Sequence, residues 1–168
     1  MTWWNAALIA VGVGTVLAIL ASALKRHWLA LPIVPVLLGV VALRVIGVPE
    51  PTAAWFTPLL TLALVTLATA GGGPLVTFVL KVITKRHGKK TEHEVLRGGA
   101  TIGYLERFAV AGAILVGQPA AVAIIVAVKG LGRFTELDSA AARERFIVGT
   151  LGSLIWAATC ATAITGAW

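Results

Sequence analysis

Any chemistry in this chain has to come from a few ionisable side chains set inside apolar sequence. Glu106 and Arg107 follow Arg97 by nine and ten residues. At 1.5 Å per residue, a helix entering a membrane near Arg97 carries them about 14–15 Å deep, close to the midplane. An ionisable group there costs at least about 2.5–3.5 kcal/mol, so it should face the interior of a helix bundle, with a partner or a water-filled cavity. Adjacent positions on a helix point about 100° apart and do not pair with each other. Each of the two therefore needs a partner from another helix. Lys129 suits Glu106, because ten residues down from a turn at Pro119 reach about the same 15 Å depth. Arg133 lies one turn further along the same face as Lys129.

This pattern supports two readings. In one, Glu106 and Lys129 are a buried ion pair that sets helix register. In the other, Arg107, Lys129, Arg133 and Arg145 line a cytoplasm-facing basic cavity for an anionic solute or lipid head group. Gly71, Gly72, Gly73 and Pro74 add a second feature, since three residues without side chains and a fourth without a backbone donor disrupt a helix. For a helix starting at Pro58 the disruption falls about 20 Å in, near the depth of Glu106. Broken helices at such depth often form ion or substrate sites, which adds Gly72 and Gly73 to the site residues. The plainer alternative is a glycine turn at the inner interface, followed by an amphipathic piece over residues 75–84 lying on the membrane.

Other chemistries lack their residues. His87 and His93 stand near Glu92 and Glu94, but the spacing fits no strong metal signature and reads as a solvated loop. The sequence has no Ser-His-Asp set, no phosphate-cradling glycine loop and no paired-Asp motif for magnesium-dependent lipid phosphate chemistry. A membrane-embedded enzyme using Glu106 as acid or base lacks a second catalytic group. Cys160 is the only cysteine, so internal disulfides and thiolate metal sites are excluded. No catalytic residue, metal or cofactor is expected.

The elements that position these residues follow from composition. Of 168 residues, 58% are hydrophobic and 12% charged, against about 25% charged in an ordinary soluble domain. Each crossing of a hydrocarbon core of about 30 Å takes about 20 apolar residues, so the length holds about six spans and no separate soluble domain. The expected fold is a single all-α transmembrane bundle. Its spans lie near 3–24, 29–48, 53–84 (broken at 71–74), 97–117, 120–133 and 146–167. The net charge of +7 does not indicate nucleic acid, because Lys and Arg gather at alternate ends of the apolar runs. Lys25, Arg26 and the stretch over residues 85–97 mark cytoplasmic loops, while the turns near Glu50 and Gln118 carry no Lys or Arg, so both termini are expected outside. Trp3, Trp4, Trp55 and Trp168 then fall at the outer interface, where amphipathic rings settle. The amino end has neither the basic start nor the cleavage signal of a signal peptide and reads as a retained first span.

Local signals refine the ends. Thr91 and Glu94 form a capping box ahead of the fourth helix, Thr57 with Pro58 suits the start of the third, and Asp138 or Ser139 suits the cap of the sixth. Gly99 with Gly103, and Gly149 with Gly152 and Ser153, give the fourth and sixth helices small faces for close packing. Arg44, near the outer end of the second run, is placed to snorkel or to pair with Glu50.

The segments GYLER (103–107), KGLGRF (129–134) and RERFIVGT (143–150) resemble a group of uncharacterised bacterial multi-pass membrane proteins, over about the last 70 residues. The resemblance implies a bacterial inner-membrane protein in which these segments belong together; it implies no activity. The expectation for function is a small transporter, channel or lipid-handling protein. The alternative is a noncatalytic subunit or assembly partner of a larger membrane complex. Expected partners are membrane lipids, anionic ones included, and either further copies of the chain or another membrane protein.

Overall fold

The computed structural model describes residues 3–86, 99–133 and 139–166, except for the side chains at 84–86, 132–133 and 141. Within them every regular element is helical: α1 (Trp3–Ala23), a 3₁₀ turn (His27–Ala30), α2 (Ile33–Val45), α3 (Phe56–Arg86), α4 (Gly99–Leu115), α5 (Ala121–Arg133) and α6 (Ala140–Thr165). Four stretches are long and apolar enough to cross a membrane: Trp3–Ala23, His27–Val45, Phe56–Ile83 and Ala142–Thr165. The helices α4 and α5 have 17 and 13 residues, about 25 and 20 Å of rise, short of a hydrocarbon core of about 30 Å.

The sequence accounts for the helix ends. Pro35 stands at the third position of α2, where the missing N–H is one the helix would leave unpaired anyway. Two helices stop on a glycine at φ +74°. At the end of α2, Gly47 N donates to Arg44 O and Val48 N to Leu43 O; at the end of α4, Gly117 N donates to Ile114 O and Gln118 N to Ala113 O. Both are Schellman closures, which need a residue in the left-handed region and so favour glycine. Ser139 caps α6, its Oγ accepting from Ala142 N at 3.1 Å. The capping box at Thr91 and Glu94, together with His87, Glu92, His93, Arg97 and Trp168, lies outside the described residues.

The central element is α3, packed against α1, α4, α6 and the 3₁₀ turn, while α6 also packs on α4 and α2. The main core runs along α3 as Phe56, Leu60, Leu64 and Leu67, meeting Trp4 and Val11 of α1, Ile33 and Leu37 of α2, and Trp156 and Cys160 of α6. Trp4 is 1% exposed, a core residue of the bundle: its ring packs edge-on to Phe56 and its Nε1 donates to Val48 O at 3.0 Å. Trp3 and Trp55 are exposed.

The helix break expected at 71–74 is absent, and so is the surface piece over 75–84, because α3 continues through Pro74 to Arg86. Pro74 removes the donor that would reach the Ala70 carbonyl. Neighbouring helices supply donors to the same turn: Trp156 Nε1 to Leu67 O at 3.1 Å, and Arg107 Nε to Thr69 O at 2.7 Å. These donors tie α3 to α6 and α4 beside the proline and hold the helix in place there, although neither goes to the Ala70 carbonyl itself. The glycines serve packing instead of a break. A Cβ on Gly71 would lie 3.0 Å from the Trp156 ring, and one on Gly72 would lie 2.6 Å from Arg107 Cδ.

Candidate functional site

Arg107 leaves the middle of α4 about 12 Å from its start at Gly99, and is 4% exposed. So large a side chain fits only because its path is cleared by glycines. Gly72 on α3 lets its aliphatic stem pass, and Gly103, one turn earlier on α4, would bring a Cβ to 3.2 Å from Nη1. The guanidinium donates through Nε to Thr69 O on α3 and through Nη1 to Ser153 Oγ on α6 at 3.1 Å. Its Cζ lies 5.1 Å from the centre of the Tyr104 ring, a cation–π contact. Three helices thus hold it with neutral groups. Among the described residues no carboxylate pairs with it, and Nη2, beside Gly73, has no hydrogen-bond partner.

Arg107 forms part of the wall of a cavity of about 500 Å³ between α3, α4 and α6. The cavity sits where Ser22, His27, Leu80, Gly99, Lys129 and Arg145 come together, at the end of the helices that carries Lys25 and Arg26. Lys129 and Arg145 add two further basic side chains, and His27 an imidazole. Hydroxyls come from Ser22, Thr77, Tyr104, Thr150 and Ser153, and among the described residues no Asp or Glu lines the space. Hydroxyls and basic side chains around a buried guanidinium suit an oxyanion, to which Arg presents a planar fork and Lys a point charge.

Glu106, one residue before Arg107, points elsewhere and forms an ion pair with Lys129 Nζ across the α4–α5 contact. The two side chains are 12% and 20% exposed. This is the partner that depth alone suggested.

The other end of the molecule holds a second arginine. Arg44 on α2 donates through Nε to Ala163 O at 3.0 Å and through Nη2 to Ile164 O at 3.2 Å, pairs through Nη1 with Glu50, and stacks 5.1 Å from the Trp4 ring centre. These carbonyls belong to the last turn of α6, which has no donors of its own and attracts cations.

Of the residues singled out in the sequence, the structure gathers Arg107, Lys129, Arg145 and Gly73 around one cavity, sets Gly72 against Arg107, and binds Glu106 to Lys129. The Arg133 side chain lies outside the described residues. Sequence reasoning missed Ser153 as a ligand of Arg107, taking it for part of a packing face, and missed the Thr69 carbonyl, His27 and Tyr104. One signal was present: Gly103 and Arg107 share a helix face, and a glycine one turn from a buried arginine marks the room it needs. No family model, curated protein or solved structure matches the chain, so the resemblance of the last 70 residues carries no family assignment.

Proposed function

We propose that this protein is a small transporter, channel or lipid-handling protein whose cavity at the Lys25–Arg26 end receives an anionic solute or lipid head group. The observation that supports it is Arg107: a buried guanidinium held by neutral groups, with Nη2 unpartnered among the described residues, in a cavity that Lys129 and Arg145 also line. A cation buried without a counter-ion is costly, and an anion taken from outside the chain offsets that cost. The topology that goes with this reading has both termini outside and the cavity facing the cytoplasm of a bacterial inner membrane. The shorter α4 and α5 then form a hairpin entering from inside, and a hairpin leaves the parity of the other four crossings unchanged.

Native mass spectrometry of the purified protein tests the reading. One anionic lipid or sulfate per chain is expected to stay bound, and Lys129→Gln and Arg107→Lys should each weaken its retention about tenfold, or 1.4 kcal/mol. Equal, nonstoichiometric lipid binding in all three proteins would make the basic side chains ordinary membrane anchors. The alternative of a noncatalytic subunit is favoured by α5, which packs on α4 and leaves Ile124, Val128 and Leu131 exposed. A subunit of that kind would hold no stoichiometric anion.

A further inference from the structure

We propose that Glu106 is a built-in competitor for the anion site, an autoinhibitory carboxylate that occupies Lys129 until a ligand displaces it; this rests on the anion-binding reading above. The geometry behind it is a division of one ion pair between two compartments. Lys129 is part of the cavity wall, whereas its partner Glu106 is not. The same side chain therefore pairs with the carboxylate and borders the cavity. Arg107, the neighbouring cation, has no carboxylate partner among the described residues. An anion in the cavity thus finds one basic group without a salt-bridge partner among the described residues and another already paired with Glu106.

Two physical consequences follow. The Glu106 charge repels an incoming anion across a poorly screened, largely buried space, and it holds the Lys129 ammonium away from the ligand. Both effects lower affinity, so the empty site can carry three basic side chains without binding every passing anion. The competitor also couples the site to α5, because Lys129 is the described α5 residue whose ion pair reaches α4. Displacing Glu106 from Lys129 loosens the α4–α5 contact at the moment the cavity fills.

The alternative role for Glu106 is to orient Lys129 toward the ligand, and the two roles predict opposite signs. Isothermal titration of sulfate into the detergent-purified full chain, at fixed pH and ionic strength, reads the difference. A competitor requires Glu106→Gln to bind sulfate about tenfold tighter than wild type and Lys129→Gln to bind it about tenfold more weakly. Glu106→Gln leaves Lys129 unpaired and can unfold the chain, so the double variant Glu106→Gln/Lys129→Gln, in which both charges are gone, reads the repulsive part of the competition by itself. It should bind sulfate more tightly than Lys129→Gln alone. Unchanged or weaker binding in Glu106→Gln, or a double variant no tighter than Lys129→Gln, would overturn the competitor. Absence of sulfate binding in every protein, wild type included, would instead overturn the anion site itself.

Discussion

Arg44 and Arg107 are the same residue type put to opposite uses at the two ends of one bundle. Arg44 has its charge matched, with Glu50 on one nitrogen and two α6 carbonyls on the others, and a tryptophan ring against its face. It ties α2 and the turn after it to the end of α6. Arg107 is more deeply buried yet has only a carbonyl, a hydroxyl and a ring as partners among the described residues, and it borders an open cavity. Under the anion-site proposal, what separates the clamp from the binding group is whether a salt bridge already meets the charge, and burial alone does not tell them apart.

Three substitutions and one control sharpen or break this contrast, each read by unfolding of the detergent-solubilised protein. The largest loss is expected for Arg44→Met. It removes two charge-assisted bonds to backbone and leaves Glu50 without its cation, which should cost about 3 kcal/mol. A loss below about 1 kcal/mol would mean that this end is held by packing alone. Next comes Gly72→Ala, whose new methyl group would meet Arg107 Cδ at 2.6 Å, for an expected loss of about 2 kcal/mol from overpacking. The control is Gly39→Ala in α2, where a Cβ meets nothing within 4 Å and the gain in helix propensity should stabilise by about 0.5–1 kcal/mol. The smallest change in stability is expected for Arg107→Met. It gives up two hydrogen bonds but also removes a buried charge that has no salt bridge among the described residues, so the net effect should stay within about 1 kcal/mol, while sulfate binding falls at least tenfold. A large loss of stability with binding intact would make Arg107 the clamp and refute the contrast.

The all-helical character, the apolar stretches over α1, α2, α3 and α6, and the turns near Glu50 and Gln118 were legible from the chain, because length of apolar run and the turn preference of proline and glycine are local properties. The partnership of Glu106 with Lys129 was legible too, since counting rise from a turn gives depth, and an isolated charge at that depth demands an opposite one. The same local reasoning failed at residues 71–74. Three glycines and a proline disrupt an isolated helix, and nothing nearby in sequence shows that Trp156 and Arg107, from two other helices, would fill the space and donate to the carbonyls of that turn.

By itself, then, the sequence determined that this chain is built for a membrane and which charged residues lie deep within its helices, because hydropathy and rise per residue depend only on neighbours along the chain. Tertiary structure alone decided which of those charges are closed off. Arg44 meets Glu50 and the end of α6, over 110 residues further on, and Arg107 meets Thr69 and Ser153 across two helix contacts. Compensation of a buried charge depends on the distance and direction to groups on other helices, and those are set only when the helices pack.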